Sequence, residues 1–299
     1  MLREKIEEYC GKNDLAWGVT DAEPFPEIAE ALGKCAEDLS GFVCSDLEKR
    51  IYPRKTMENA QSIIVIAKSY NKKIAFKQDG IIRCKIALGS FGEDYHGTLR
   101  KHLDELKNIL AEDSPHGEFI FYVDTGPLDD RAVARRAGLG NFGKNGMLIT
   151  EKYGSAVNIG YIITNLEIPK DEPFERDLCK GCRKCIDACP HGALREDGYD
   201  FRKCISYISQ KKGELEDWEK EILGNTLYGC DLCLRACIYN DKYIGEVTDI
   251  DEMYPAAESI LALSNKQFKV KYGETGIGWR GLKIMKRNAR NALEKGMIY

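Results

Sequence analysis

Short apolar runs and helical repeats alternate along residues 1–170 of the chain. The runs SIIVIAKSY (62–70), GEFIFYV (117–123) and AVNIGYIIT (156–164) have the length and composition of strands. Between the first two runs, GTLRKHLDELKNILAED (97–113) places Leu99, Leu103, Leu106 and Leu110 at helical spacing. Strands that alternate with helices in this way predict an α/β domain over residues 1–170.

The pattern changes after this domain. The segment IPKDEP (168–173) contains two prolines and predicts a linker. A module rich in cysteine follows over residues 171–245, and a mostly helical segment closes the chain over residues 246–299. We therefore predict three parts, which are the α/β domain, the cysteine module and a helical tail.

Composition narrows the class of protein. The 299 residues are 43% hydrophobic and 31% charged, and the mean hydropathy is −0.40, as is typical of a soluble globular protein. The N-terminus lacks the apolar core of a signal peptide, and the longest apolar run, residues 63–67, is far shorter than a membrane span. We expect a cytoplasmic protein with no membrane partner. In that compartment twelve cysteines indicate metal ligation rather than disulfides.

Eight of the cysteines have a spacing that indicates iron–sulfur chemistry. Residues 179–190 read CKGCRKCIDACP, the C-x2-C-x2-C-x3-C-P run of bacterial ferredoxins, and Cys204 and the run CDLCLRAC (230–237) follow. The tight spacing holds three sulfurs at one 4Fe-4S cluster, while the fourth sulfur reaches the other cluster. The predicted ligands are Cys179, Cys182, Cys185 and Cys237 for the first cluster and Cys189, Cys204, Cys230 and Cys233 for the second.

A pair of structural zinc sites is the alternative, because four thiolates also suit zinc. Zinc does not require three cysteines at two-residue gaps followed by Cys-Pro, so the spacing favours iron–sulfur clusters. The other four cysteines lack partners at ligand spacing and are expected to be small core residues; they are Cys10, Cys35, Cys44 and Cys84.

The stretch FYVDTGPLDDRAVARRAGLGNFGKNGMLIT (121–150) indicates a ligand site. Asp124 follows the end of a predicted strand, and Gly138 is the expected cap of the helix after it. The glycines of GLGNFGKN (138–145) would let a ligand approach the backbone, although their spacing is not that of a nucleotide-binding loop. Local sequence also allows plainer roles. Asp124 could form an Asx-turn or cap a helix, His96 could be a structural histidine, and Lys144 could be a solvated side chain.

The last 35 residues are basic, with nine Lys/Arg against two Glu between Asn265 and Tyr299. Phe268, Tyr272 and Trp279 are interleaved with these charges, a combination that could contact phosphates and stack on the bases of RNA. The alternative is an amphipathic helix that packs on the cysteine module.

Three elements together resemble one family, the epoxyqueuosine reductases. They are the DTGP…RAVARRAGLG…GKN block, the segment GEDYHGTLRKHL (92–103), and the eight-cysteine pattern with CISYIS and YGCDLC. The resemblance extends over about residues 15–290. It implies an α/β cobalamin-binding reductase domain, followed by a ferredoxin-like double 4Fe-4S module and a short helical C-terminal tail. The chemistry implied is related to that of reductive dehalogenases.

The resemblance also implies a reaction. The clusters would pass electrons to base-off cobalamin, and the epoxide of epoxyqueuosine in the tRNA anticodon loop would be reduced to give queuosine and water. The electrons would come from an external low-potential donor such as a flavodoxin or ferredoxin, and we expect a monomer. Asp124 matches the family's proton donor, a role that suits a carboxylic acid whose pKa is raised by burial. Family cobalamin contacts match Arg50, Ser206 and Tyr207, and further motif positions match His96, Lys144 and Asn145.

The sequence departs from the family pattern at three places. Ile238 stands where the family has proline after the last cysteine, and Asn141 stands where it has tryptophan. Of the helical HEAT-like repeats that help the family to hold tRNA, we find only the first part, FKVKYGETGIGWRGLKIMKRNARNAL (268–293). This shortening motivates one alternative, a cobalamin- and iron–sulfur-dependent reductase of a small molecule. A non-catalytic electron carrier is the other.

Overall fold

The computed structural model describes residues 2–32, 46–71, 73–75, 80–241, 247–249 and 253–296. The helices are α1 Leu2–Lys12, α2 Pro26–Leu32, α3 Leu47–Ile51, α4 Tyr95–Asp113, α5 Asp130–Arg136, α6 Lys184–Asp187, α7 Ile205–Gln210, α8 Asp217–Leu223, α9 Leu232–Arg235, α10 Ala257–Ala262, α11 Asn265–Tyr272 and α12 Leu282–Lys295. The strands are β1 Ala16–Asp21, β2 Ser62–Ser69, β3 Lys73–Ala75, β4 Lys85–Ile86, β5 Phe119–Val123, β6 Gly140–Phe142, β7 Leu148–Thr150, β8 Val157–Thr164, β9 Leu194–Arg195, β10 Gly198–Tyr199, β11 Thr226–Tyr228 and β12 Val247–Asp249.

The described residues form two compact units. The first contains those of 1–69 and 96–180, and the second contains those of 70–95 and 181–299. No sequence pattern indicated that the segment 70–95 belongs to the second unit. The predicted division at residues 170 and 245 stays a prediction. None of the helices in the described part of the chain is long and apolar enough to cross a membrane.

The first unit is built on a four-stranded sheet in the order β1-β2-β8-β5. Strands β2, β5 and β8 confirm the strands predicted from the three apolar runs. Helix α4 confirms the predicted helix, and its four leucines are buried. The sheet corrects the predicted class, because all three pairings are antiparallel whereas an α/β domain pairs its strands mostly in parallel. Periodicity identifies a strand or a helix, but it does not report the direction in which a helix returns the chain to the sheet.

Helices lie on both faces of this sheet. Successive residues of a strand point to opposite faces. At Gly160 of β8 the α4 side chain Leu103 approaches so closely that a Cβ would lie 3.0 Å from its Cδ1 atom. Tyr161, the next residue, points to the other face, where its hydroxyl accepts a hydrogen bond from the Leu128 amide just before α5. The sheet is therefore buried on both sides, and β2 reads as a continuous apolar run for that reason.

The second unit has its own core. The buried side chains of α10, α11 and α12 pack with those of β4 and β11, which pair in parallel. Helix α12 buries Leu282, Met285, Ala289 and Ala292, which lie on one face of a helix at these spacings. The Leu88 amide donates to Asp231 at 3.3 Å, and this bond attaches the 70–95 segment to the cysteine-bearing part of the same unit.

Candidate functional site

The site begins where β5 ends. Asp124 follows Val123 with a φ of 58°, a left-handed conformation that is uncommon for a residue with a side chain. Its amide donates a hydrogen bond to Asp130 Oδ2 at 2.9 Å. Two residues later Gly126 packs so closely against Tyr161 and Tyr122 that any side chain there would overlap them. The Asp124 loop, residues 124–129, therefore has a fixed path between the sheet and α5.

Asp129, not Asp124, caps the helix that follows. Its Oδ1 atom accepts hydrogen bonds from the amides of Arg131 and Ala132, each at 3.1 Å. The helix-capping role that the local sequence allowed for Asp124 is therefore wrong. The helix ends as predicted, with Gly138 in the left-handed conformation (φ 80°) directly after its last turn.

The Asp124 carboxyl is open to solvent. The Asp124 side chain is 62% exposed, and its Oδ2 atom lies 3.7 Å from Nε2 of His96, which is placed there by the first turn of α4. The expectation that burial surrounds the Asp124 carboxyl is therefore wrong for this structure. His96 therefore lies beside Asp124, and its predicted role in cofactor binding stays a prediction.

Burial acts instead on the neighbouring carboxyl of Asp130. The Asp130 Oδ1 atom is screened from solvent and has no hydrogen-bond partner among the described residues. Burial, and after it the nearby charges of Asp124 and Asp129, raise the pKa of Asp130 to about 8. Asp130 is therefore a neutral acid at pH 7 that accepts the amide of Asp124.

Arg50 reaches the same end of the first unit from α3. It is buried, and its Nη2 atom lies 3.5 Å from Asp129 Oδ2. Its buried Nε atom has no hydrogen-bond partner within the described ranges. Buried donors are costly without a partner, so this N–H is available to a bound ligand.

The glycine-rich loop is tied to α5, since Arg131 Nη1 donates to the Gly146 carbonyl at 2.8 Å. The structure corrects the expected use of its glycines. A Cβ at Gly140 would overlap the Ile149 carbonyl of the neighbouring strand, and one at Gly138 would lie 2.9 Å from the Glu172 carbonyl. These glycines therefore allow close packing of the chain against itself rather than against a ligand.

Lys144 and Asn145 lie in the turn between β6 and β7. The Lys144 amide donates to Sγ of Cys179 at 3.4 Å, so this residue touches a predicted cluster ligand through its backbone. Asn145 Oδ1 accepts the Met147 amide at 3.2 Å and shapes the turn itself. Sequence motifs predicted both positions but did not distinguish backbone from side-chain contacts.

In the second unit, α6 and α9 pack against each other and carry two of the cysteines, Cys185 and Cys233. Burial, and after it the nearby cysteines Cys230, Cys204, Cys185 and Cys189, together raise the pKa of the Cys233 thiol to about 12. Burial, and after it the neighbouring Cys204 and Cys189, also raises the pKa of the Cys230 thiol. Cys230 and Cys233 are therefore close enough to Cys204 and Cys189 for their charges to interact.

Ser206 and Tyr207 follow Cys204 in the first turn of α7. Both are half-buried. The Ser206 carbonyl accepts a hydrogen bond from Gln210 Nε2 at 3.1 Å, and the Tyr207 ring packs edge-on against Phe201 at 5.0 Å between centroids. Their positions are fixed by the protein itself, beside a predicted cluster ligand.

The upstream cysteines divide into two groups. Cys10 and Cys84 are fully buried, which confirms that they are core residues. Cys35 and Cys44 lie outside the described residues.

Among the described residues of the basic tail, the aromatic side chains differ in their exposure. Phe268 and Tyr272 are buried in the core of the second unit, so the expectation that they stack on RNA bases is wrong. Trp279 is 60% exposed, and the Arg280 guanidinium lies 3.7 Å from the centroid of its ring. Arg287 serves the packing of α12 instead, because it donates to the carbonyls of Lys211 and Gly213.

Sequence reasoning missed Asp130 and Tyr161. The signal for Asp130 was the acidic pair Asp129-Asp130 before a helix, because only one of two adjacent carboxylates can cap the same helix. The signal for Tyr161 was a tyrosine inside a strand that is otherwise apolar, since a buried phenol needs a hydrogen-bond partner.

Two family models match the chain. Residues 50–125 match "Epoxyqueuosine reductase QueG, DUF1730", and residues 178–240 match a "4Fe-4S double cluster binding domain". The epoxyqueuosine reductase of Bacillus cereus is 40% identical in an alignment of 287 positions that covers 92% of this chain and 75% of that protein. The enzyme of Bacillus subtilis is 38% identical over 98% of this chain and 78% of its own length. The chain belongs to the epoxyqueuosine reductase family. Its cysteine module binds two 4Fe-4S clusters. The alternative of two structural zinc sites is therefore wrong.

Solved epoxyqueuosine reductases share the fold. A selenomethionine-labelled enzyme gives a TM-score of 0.93 at 37% identity, over 99% of this chain and 82% of the other. A structure with an epoxyqueuosine-modified tRNA-Tyr stem loop gives 0.91 at 36% identity, with the same coverage of both chains. A further structure, of the Bacillus subtilis enzyme with its catalytic aspartate loop swung out of the active site, also gives 0.91 at 36% identity, over 99% of this chain and 82% of that one.

Proposed function

We propose that this chain reduces epoxyqueuosine to queuosine in the anticodon loop of tRNA. One observation carries the proposal: a relative solved with an epoxyqueuosine-modified tRNA stem loop matches 99% of the chain at a TM-score of 0.91. The Asp124 loop, with His96 and Arg50 beside it, supplies the carboxyl group that this reduction needs as a proton donor.

The eight cysteines of the module suit the two clusters as a donor set. None is in a disulfide, and all eight are half-buried. Burial raises the pKa of the Cys230 and Cys233 thiols to about 12, so these thiols lose their protons on binding iron rather than before it. We assign Cys179, Cys182, Cys185 and Cys237 to one cluster and Cys189, Cys204, Cys230 and Cys233 to the other.

Cobalamin is the cofactor that the family implies, and the residues present fit it. The buried Nε of Arg50 offers a hydrogen-bond donor with no partner among the described residues. His96, Lys144, Asn145, Ser206 and Tyr207 are the further positions that the family motifs assign to cobalamin contacts. Bound cobalamin supplies a strongly reducing cobalt centre.

Asp124 is the proton donor of this proposal. Removal of the epoxide oxygen consumes two electrons and two protons and releases water, and a carboxylic acid held beside the departing oxygen can deliver a proton. A bound substrate would cover the exposed Asp124 side chain and remove water from it. Desolvation favours the protonated form of a carboxyl group, which is the form that donates.

The electron donor, the oligomeric state and the cellular location belong to the same proposal. An external low-potential donor such as a flavodoxin or ferredoxin supplies the electrons, and the chain acts as a monomer. We place the reaction in the cytoplasm because its substrate is tRNA.

The test is an anaerobic assay of protein reconstituted with iron, sulfide and cobalamin, given epoxyqueuosine tRNA and a strong chemical reductant. We expect queuosine in the tRNA digest. Asp124→Asn should lower turnover by about 10²- to 10⁴-fold, the usual contribution of general acid catalysis. The absorption and EPR spectra of the Asp124→Asn protein should match those of the unmodified protein, because the substitution leaves the clusters and cobalamin bound. Asp104→Asn, which changes an exposed carboxyl on α4, is the matched control and should leave turnover unchanged.

Other results would favour the alternatives. Absence of queuosine, together with no salt-dependent affinity for tRNA, would favour a reductase of a small molecule. Protein that holds both clusters yet takes up no cobalamin would favour an electron carrier.

A further inference from the structure

The backbone of Asp124 is held in a conformation that its own chemistry disfavours. A φ of 58° brings the Cβ of an L-residue close to the following carbonyl, so this conformation is unfavourable for a residue with a side chain. Such a conformation persists only where the surroundings fix it. The contacts that fix it therefore decide where the Asp124 carboxyl points.

Those contacts come from both ends of the loop. At its start the Asp124 amide donates to Asp130 Oδ2 at 2.9 Å, and at its end the Leu128 amide donates to the Tyr161 hydroxyl at 3.2 Å. Gly126 is packed against the Tyr161 and Tyr122 side chains between them. The Thr125 amide also donates to the Val123 carbonyl at 2.6 Å, which closes a tight turn around Asp124. The bond to Asp130 reaches the Asp124 backbone from outside this turn.

Asp130 is well placed to hold this amide. It is the first residue of α5, and that helix is anchored by its Asp129 cap and by the bond from Arg131 to the Gly146 carbonyl. A carboxyl on an anchored helix transmits the position of the helix to the Asp124 loop. A short side chain with few rotamers does this with little loss of conformational entropy.

We propose that Asp130 is a positioning residue: its Oδ2 atom holds the Asp124 amide and so keeps the Asp124 carboxyl aimed at the substrate. This inference rests on the proposed function for its catalytic consequence, but the hydrogen bond itself can be tested without turnover. Asp130 does not act on the substrate or the cofactors, and its effect is transmitted through Asp124.

The charge state of Asp130 is consistent with this role. Around its carboxyl lie the charged groups of Asp124, Asp129 and Arg131, and the buried Tyr161 phenol. Burial and the two carboxylates raise the pKa of Asp130 to about 8. A neutral acid accepts the Asp124 amide without placing a further negative charge beside two others.

The test compares Asp130→Leu, which removes the acceptor at similar volume, with Asp130→Asn, which keeps an acceptor oxygen. Asn165→Leu is the matched control, because Asn165 Oδ1 accepts the Glu118 amide at 2.9 Å just before the other end of β5. Hydrogen exchange by mass spectrometry is read on peptides that cover residues 122–129, and thermal melting verifies that each variant is folded.

We expect faster exchange at residues 122–129 in Asp130→Leu and unchanged exchange there in Asp130→Asn and Asn165→Leu. In the tRNA assay, kcat of Asp130→Leu should fall by about 10- to 100-fold with KM for tRNA nearly unchanged, as a misplaced catalytic group predicts. Asp130→Asn should restore most of kcat.

Unchanged exchange of the loop in a folded Asp130→Leu protein would overturn the inference. So would a kcat for Asp130→Asn as low as that for Asp130→Leu, because the acceptor oxygen would then not be the feature that matters. If the unmodified chain forms no queuosine, the proposed function fails, while the exchange measurement still decides whether Asp130 holds Asp124.

Discussion

The Nε2 atom of His96 lies 3.7 Å from Oδ2 of Asp124, the proposed proton donor. At this distance the His96 ring can interact electrostatically with the Asp124 carboxyl. We predict that His96→Phe lowers kcat by about fivefold to tenfold, the effect of losing roughly 1 kcal/mol at a partly exposed pair. The measurement is steady-state formation of queuosine.

Asn108→Phe is the control for that variant, since Asn108 is an exposed residue three turns further along the same helix. It should leave kcat unchanged. A His96→Phe protein with full kcat would show that the proximity of His96 to Asp124 has no part in the reaction.

The raised pKa of Asp130 predicts a pH-dependent stability. Its pKa rises from 3.8 to about 8 on folding, so the folded protein binds this proton more tightly than the unfolded chain does. The stability that this proton contributes is fully present below about pH 4 and is lost as the pH rises to about 8. Asp130→Asn titrates no proton at this position. Its free energy of unfolding relative to the unmodified protein should therefore increase between pH 5 and pH 8.

Denaturant unfolding of both proteins at pH 5, 6.5 and 8 measures this difference. Asp104→Asn, an exposed carboxyl on α4, provides the comparison and should show a constant difference across the range. A constant difference for Asp130→Asn as well would mean that Asp130 is ionised in the folded protein at neutral pH.

Trp279 is predicted to contribute to tRNA affinity. Its ring is exposed, Arg280 stacks on it, and its indole N–H donates to the Tyr228 hydroxyl at 2.6 Å, which fixes the ring plane. A fixed aromatic platform beside a guanidinium suits a stacked base, worth about 1–3 kcal/mol. Trp279→Ala should therefore weaken tRNA binding by about 5- to 100-fold in a filter-binding or fluorescence titration.

Trp218→Ala is the matched control because Trp218 is also exposed in the second unit, but it lies among acidic residues and bonds to Glu216. This variant should keep the affinity of the unmodified protein. Equal losses from the two tryptophans would indicate a general effect on the unit rather than a stacking contact.

The cysteine assignment predicts which pairs of substitutions are redundant. Cys189→Ser and Cys204→Ser each remove a ligand of the same cluster, so the double variant should lose no more iron than either single variant. Cys185→Ser and Cys204→Ser affect different clusters, so their iron losses should add. Iron analysis and EPR of the purified proteins measure both results.

Cys84→Ala serves as the control, since Cys84 is a buried core residue and should keep the full iron content. Additive loss for the pair Cys189 and Cys204 would mean that Cys189 binds the first cluster.

Sequence alone determined the local elements and the chemistry of the cysteines. Apolar runs identified β2, β5 and β8, and leucine spacing identified α4, because a buried strand and an amphipathic helix each impose their own period. The ligand spacing of the cysteines identified two clusters, since such short loops leave the sulfurs few arrangements.

Tertiary structure decided what the sequence left open around Asp124. The local sequence allowed a helix cap at Asp124, but Asp129 takes that role and leaves Asp130 to hold the Asp124 amide. Burial, and with it the pKa, depends on neighbours from other strands and helices, so no local pattern could show that Asp130 is the neutral acid and Asp124 the exposed one. For the same reason Phe268 and Trp279 look alike in the sequence, and only packing separates the core residue from the accessible one.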